Sequence, residues 1–217
     1  MYNKFFKRLI DFVLSTIGII VLAIPMGVIA LMIKITDPGP AVFKQTRIGI
    51  RKSNFSLYKF RSMKMSAPKD CPTHLLKNPE QYITSLGKFL RKSSLDELPQ
   101  LFNIWIGAMS IVGPRPALWN QYDLIEERDK YGANDIKPGL TGWAQINGRD
   151  ELEIDIKAKL DGEYVAALSA SGIRGFAMDV NCFFSTIVNV LKSDGIVEGE
   201  MRKHIKQKEA EKEMSAK

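Results

Sequence analysis

Phe12-Val13-Leu14-Ser15-Thr16-Ile17-Gly18-Ile19-Ile20-Val21-Leu22-Ala23-Ile24-Pro25-Met26-Gly27-Val28-Ile29-Ala30-Leu31-Met32-Ile33 is a run of 22 residues without a formal charge, closed by Asp11 and Lys34. It is long enough for one pass through a hydrocarbon core of ~30 Å. It is also longer than the apolar core of a cleaved signal peptide and lacks a small-residue cleavage site, so it is expected to stay attached. Two features oppose a simple crossing. Lys4, Lys7 and Arg8 precede the run, while Lys34, Lys44, Arg47, Arg51 and Lys52 follow it, and basic flanks on both sides prefer the cytoplasmic face. Pro25 sits mid-run with Gly18 and Gly27 nearby, and an interior proline removes a helix hydrogen bond and kinks the chain. A helix that enters, bends and returns to the same face satisfies both flanks. A kinked spanning helix is the alternative, favoured by the cost of freeing backbone groups in lipid.

Outside this run the chain reads as ordinary globular protein. Its 217 residues, 45% hydrophobic and 25% charged, suit one compact unit with an appendage and exclude a multipass membrane protein. The net charge of +7 is uneven: residues 1–64 carry 11 Lys/Arg against 2 Asp/Glu, leaving 20 against 22 for the rest. Positive charge gathered around an apolar segment points to anionic membrane lipids rather than nucleic acid. Cys71 and Cys182 are the only cysteines, and His74 and His204 the only histidines. Neither a disulfide framework nor a zinc site follows, and Ser-His-Asp or Cys-His catalysis has few parts to draw on. Any acid, base or nucleophile is expected to be a carboxylate.

Asp37-Pro38-Gly39-Pro40 reads as a turn and a boundary. Ala41–Gln45 and Phe55–Phe60, rich in aromatic and β-branched residues, read as a short β hairpin or two small strands. Residues 66–80 read as a loop, and helical patterns follow at about 80–91, 95–106, 117–130, 152–168 and 174–192. In the last of these, Phe176, Val180, Phe183, Phe184, Ile187, Val188 and Leu191 share one broad face. Such a stripe is expected in a core, with the lipid headgroup layer as the alternative. The fold class is therefore α+β and predominantly helical, with interfacial amphipathic helices. The expected divisions are a re-entrant helix-break-helix anchor over 1–36, a catalytic domain over 37–200, and a charged, disordered tail over 201–217.

Ser94-Leu95-Asp96-Glu97-Leu98-Pro99-Gln100 places two adjacent carboxylates at a helix start, just after Arg91 and Lys92. The plain explanation is a capping box from Ser94 to Glu97, with acidic residues complementing the helix dipole. The company argues for more. Gly113-Pro114-Arg115-Pro116 and the stretch Lys137-Pro138-Gly139 to Asn147-Gly148-Arg149 are rigid settings for arginine, which loses less entropy there on binding an anion. Arginine matches phosphate oxygens with a planar fork, so Arg91, Arg115 and Arg149 suggest a phosphoryl-bearing ligand. No P-loop and no G-x-G-x-x-G is present. A carboxylate pair can divide the work: one oxygen attacks phosphorus to form an acyl phosphate, while its neighbour places a divalent ion, for which Mg²⁺ is the hard, oxygen-seeking choice.

Lys7-Arg8-x-x-Asp11 before a proline-broken apolar run, Gln45-x-Arg47-x-Gly49, Tyr58-Lys59-Phe60-Arg61-Ser62-Met63, the Asp96-Glu97 motif, Val112-Gly113-Pro114-Arg115-Pro116 and Pro138-Gly139-Leu140-Thr141-Gly142-Trp143-Ala144-Gln145-Ile146-Asn147-Gly148-Arg149 occur in that order. Together they resemble the bacterial sugar transferases, the monotopic phosphoglycosyl transferases, over residues 2–195, and the length resembles the minimal members of that family. The resemblance implies an enzyme that moves a sugar 1-phosphate from a UDP-sugar onto a polyprenyl phosphate, usually undecaprenyl phosphate, releasing UMP. This begins assembly of a surface glycan or glycoconjugate. It implies Asp96 as covalent nucleophile and Glu97 as the Mg²⁺ ligand. By motif position, Arg91 and Arg115 would contact phosphates, and Lys59, Arg61, Gln145 and Arg149 would shape the nucleotide-sugar pocket. It implies as well a re-entrant helix on the cytoplasmic face of the bacterial inner membrane, broken at Pro25. Here Ile24 precedes Pro25 where the family commonly has serine. The sequence leaves the sugar open among acetamido hexosamines, their deoxy derivatives, galactose and glucose, and leaves room for a homodimer. Two rivals share its features: a metal-dependent nucleotide-sugar hydrolase, and a non-catalytic membrane scaffold for glycan assembly.

Overall fold

A computed structural model describes residues 2–67, 79–148 and 152–192. Arg149, the tail 201–217 and most of the 66–80 stretch, with Cys71 and His74, lie outside the described residues. After one π-helical turn at Tyr2–Phe6, α1 runs from Lys7 to Thr36. The helical backbone continues through Pro25, so the expected helix-break-helix is a single helix in its backbone. Proline forfeits only its own N–H bond, and its fixed φ is helical, so the bonds on either side carry the helix on. Ser15 and Thr16 within the run donate to the Phe12 carbonyl, which satisfies their hydroxyls inside the helix.

One stripe of α1 is buried at Lys7, Asp11, Ser15, Met26, Ile29 and Ile33, spaced as one face of a helix. The opposite faces expose Phe12, Ile17, Ile20, Val21, Ile24, Leu31 and Ile35. The stripe changes character along its length. At its start Arg8 donates to the carbonyls of Ile104 (2.6 Å) and Trp105 (2.7 Å), and Asp11 accepts from the Ile111 N–H (2.9 Å). Near its end Met26, Ile29 and Ile33 form a core with Ala41, Phe60 and Leu90, against which Leu95 and Leu98 pack.

The hairpin forms as expected: β1 (Val42–Ile48) pairs antiparallel with β2 (Asn54–Phe60), Lys44 opposite Tyr58. Helix α2 (Ser85–Lys92) begins where the Thr84 hydroxyl accepts from Gly87 N–H, a side-chain N-cap. The expected 95–106 helix is divided into a 3-10 turn, Leu95–Glu97, and α3, Gln100–Trp105. Two three-residue strands escaped the sequence reading: β3 (Ser110–Val112) and β4 (Gly139–Thr141) lie parallel, with Val112 opposite Thr141. Their glycines explain the two proline-glycine motifs. A Cβ on Gly139 would meet the Gly113 backbone nitrogen, and one on Gly142 the Gly113 carbonyl, so only glycine lets these segments cross. The remaining helices are α4 (Tyr122–Asp129), α5 (Trp143–Ile146), α6 (Ile154–Ala170) and α7 (Gly172–Lys192).

The stripe on α7 corrects its expected place in the core. Phe176, Val180, Phe183, Phe184, Ile187 and Val188 are all exposed, Phe184 at 61%. The core contacts of α7 come instead from Met178, Asp179 and Cys182. Asp179 accepts from Tyr2, Lys7 (2.7 Å) and Tyr164 (2.6 Å), tying the start of α1 to α6 and α7. Periodicity identifies an amphipathic helix but does not say what covers its apolar face.

Candidate active site

The capping box expected from Ser94 to Glu97 does not form. Ser94 is left-handed (φ 56°) and its side chain makes no capping bond. Glu97 turns to stronger partners: its Oε1 accepts from Lys59 Nζ at 2.7 Å and from Arg115 Nη2 at 3.0 Å. Three separate elements supply this triad, namely the 3-10 turn, β2, and the segment after β3. Asp96 lies beside it, 8% exposed.

The two neighbouring carboxyls are pushed in opposite directions. Burial raises Asp96, with Lys59 opposing, Glu97 adding, and Arg91 and Arg115 opposing. For Glu97 burial also acts upward, but it is outweighed by the charges and hydrogen bonds of Lys59 and Arg115, which hold the group well below the usual carboxylate range. Adjacent titrating groups driven apart in this way can take different chemical roles. Glu97 is a fixed anion, and Asp96 a less stabilised and more basic carboxylate.

The other residues singled out in the sequence are distributed as follows. Arg91, at the end of α2, donates through Nε to Ser62 Oγ (2.9 Å) and is among the charges acting on Asp96. Arg61 is buried and directed to the Asp37-Pro38 turn, donating to the Asp37 carbonyl with the Asp37 carboxylate 3.4 Å away. Gln145 is buried behind Gly113 and Gly142, and neither of its amide atoms has a hydrogen-bond partner. Pro25 lies one residue before Met26, which packs in the core with Phe60 and Leu90.

Several residues that build this site were not among the site residues expected from the sequence. Arg128 donates through Nη1 to the Arg115 carbonyl (2.9 Å) and through Nε to Asp161 (2.8 Å), both partners of that ion pair being almost wholly buried. Arg47 donates to the Pro116 carbonyl (3.0 Å) and is itself held by Gln45 Oε1 (2.7 Å). The Pro114-Arg115-Pro116 segment is therefore gripped from both sides. Gln45 and Arg47 were visible as a motif; Arg128 and Asp161 fall within the expected 117–130 and 152–168 helices, where nothing local singles them out.

The Asp96-Glu97 pair with its two cations thus sits against an apolar helix that by length and composition is long enough to cross a membrane. The sequence profile of the bacterial sugar transferases matches residues 2–193, and the chain belongs to that family. The chain is 41% identical over 171 residues to the UDP-glucose:undecaprenyl-phosphate glucose-1-phosphate transferase of Escherichia coli K12, covering 75% of this chain and 36% of that protein. It is 39% identical over 195 residues to the uncharacterized sugar transferase EpsL of Bacillus subtilis 168, covering 88% and 89%. To the undecaprenyl-phosphate galactose phosphotransferase of Salmonella typhimurium it is 36% identical over 209 residues, covering 89% and 42%. The chain thus spans less than half the length of these Escherichia coli and Salmonella relatives.

Proposed function

We propose that this protein transfers a sugar 1-phosphate from a UDP-sugar to undecaprenyl phosphate or a similar polyprenyl phosphate, releasing UMP, through a covalent phosphosugar-Asp96 intermediate. The observation that carries the reading is the divided pair: Glu97 neutralised by Lys59 and Arg115, with Asp96 buried beside it. In the first half-reaction an Asp96 oxygen bonds to the sugar-bearing phosphorus, the bond from that phosphorus to the bridging oxygen breaks, and UMP leaves. In the second, a lipid phosphate oxygen bonds to the same phosphorus and the acyl phosphate bond to Asp96 breaks. Arg115 and Lys59 offset the phosphate charge, and Arg91 stands within electrostatic reach of the nucleophile. The family relation and the relatives' named reactions support the same chemistry.

The donor set suits Mg²⁺. Both cations bonded to Glu97 use the same oxygen, Oε1, and the Asp96 carboxylate is its neighbour in the turn. Mg²⁺ takes one or two protein carboxylates and completes its shell with water and substrate phosphates, and Asp96 and Glu97 are such a pair. Bound there, Mg²⁺ would neutralise phosphate charge.

The test is UMP release over a panel of UDP-sugars, with and without polyprenyl phosphate. Lipid-dependent turnover with one donor is expected. Sugar phosphate freed at full rate without lipid would identify a hydrolase instead, and no UMP from any donor would leave only a scaffold.

The same proposal places α1 on the cytoplasmic face of the bacterial inner membrane as a re-entrant or shallow anchor. Lys7 to Ile33 rises about 39 Å along a straight helix, yet the same domain holds both ends, through Arg8 at one and Phe60 and Leu90 at the other. A perpendicular crossing would carry Leu95 and Leu98, and the adjoining Asp96 and Glu97, into hydrocarbon, where ionised groups are costly. Cysteines placed at positions 2 and 40, in a background lacking Cys71 and Cys182, are both expected to react with an impermeant reagent from the cytoplasmic side only. Labelling from opposite sides would overturn this topology.

A further inference from the structure

Asn103 stands alone as an amide in the apolar stretch Leu101-Phe102-Asn103-Ile104-Trp105, and it is 1% exposed. A buried primary amide is costly unless both its ends are bonded. Here both ends are: Nδ2 donates to the Ser56 carbonyl (2.8 Å) and Oδ1 accepts from the Tyr58 N–H (2.9 Å). Ser56 and Tyr58 alternate with Leu57 along β2, so these two backbone groups lie on one strand edge. The Asn103 amide therefore bonds β2 on that edge as a neighbouring strand would.

The two pieces it joins carry the site. Asn103 belongs to α3, which follows directly on the turn bearing Asp96 and Glu97. On β2, the residue after Tyr58 is Lys59, whose Nζ lies 2.7 Å from Glu97. The Lys59-Glu97 contact and the Asn103 amide thus both join β2 to the segment running from the turn into α3, beside the apolar packing of Leu57 with Ile104, and the amide is the buried tie that grips backbone. We propose that Asn103 is a positioning residue: by pinning β2 to α3 it holds the Lys59 ammonium against Glu97, and so sets the charge surrounding the nucleophile. This rests on the catalytic reading of Asp96 given above. A lysine is otherwise a flexible point charge on a four-carbon stem, and a shift of ~1 Å in a catalytic group can cost on the order of 100-fold in rate.

The test combines kinetics with a readout independent of activity. In Asn103→Ala, kcat for UMP release is expected to fall about tenfold while KM for the UDP-sugar stays within about threefold, the pattern of a lost transition-state contact. Acylation of Lys59 by an amine-reactive reagent, followed by peptide mass spectrometry, should rise several-fold, with Lys52 on the same hairpin unchanged as the internal control. Unchanged Lys59 labelling in a folded variant would overturn the proposal, as would a rise in KM alone. Asn103→Asp, which keeps the acceptor for Tyr58 N–H, carries the same test if the alanine variant does not fold. Failure of both to fold would also overturn it, because the amide would then serve the fold and not the site. If the wild type releases no UMP from any donor, the proposed function fails, while the Lys59 labelling still decides the role of Asn103.

Discussion

Asp96→Asn is expected to abolish both product formation and the trapped phosphosugar adduct, a loss on the order of 10⁴-fold or more, or at least about 5 kcal/mol of barrier. The substitution keeps the shape and removes the attacking charge. An amide oxygen is a poor nucleophile toward phosphorus, and the adjoining carboxylate, Glu97, is held through Oε1 by Lys59 and Arg115. The adduct is read by intact-protein mass spectrometry after incubation with a UDP-sugar in the absence of lipid, and the product by chromatography of the lipid diphosphate. Near-normal turnover in Asp96→Asn would sink the covalent mechanism. Loss of turnover with an adduct still on the protein would move the nucleophile to another residue. Glu97→Gln supplies the contrast. It leaves the nucleophile in place but removes the anion that Lys59 and Arg115 balance, so activity should fall with an altered dependence on Mg²⁺ and not vanish with the adduct.

The parts of this site legible in the sequence were those that declare themselves locally. A charge-free run between Asp11 and Lys34 has to be an apolar helix, and two aromatic and β-branched stretches flanking Gly49–Asn54 have to pair. The adjacent Asp96 and Glu97 and the proline-flanked Arg115 stood out as motifs, and the fold brings Arg115 to Glu97. What could not be read depended on partners distant in the chain. Three-residue strands such as Ser110–Val112 have no periodicity to detect, and β3 exists because Gly139–Thr141 passes alongside. The capping box at Ser94 is a sound local expectation, but the tertiary pull of Lys59 and Arg115 on Glu97 outbids a single N–H of a short helix. Asn103 was concealed for the opposite reason: a lone amide in an apolar helix looks like a flaw until the edge of β2 is placed beside it.

Arg128 and Asp161 produce the second large expected effect, this time on stability. The pair is buried, with residue exposures of 3% and 1%, and Arg128 Nη2 lies 2.6 Å from the Asp161 carboxylate. Burial pushes the Asp161 carboxyl up, with the Arg128 charge opposing it. Asp161→Ala strands a guanidinium in the interior, and breaking one side of such a pair costs about 3–5 kcal/mol. For a protein of this size that is a fall of roughly 10 °C in the melting temperature, read by thermal unfolding in lipid nanodiscs. A variant melting within about 2 °C of wild type would mean that water reaches the stranded arginine. Removing both charges together, as Arg128→Met with Asp161→Leu, should recover most of the stability, because a well-packed apolar pair is often as stable as a buried ion pair. Activity should not recover with it. The Arg115 carbonyl would still have lost its bond from Arg128 Nη1, and the segment that presents Arg115 to Glu97 would keep its bonds from Arg47 and at the Gly113 crossing without that buried grip. A double variant that regains both stability and rate would show that the rigidity of Pro114 and Pro116 alone is enough to place Arg115.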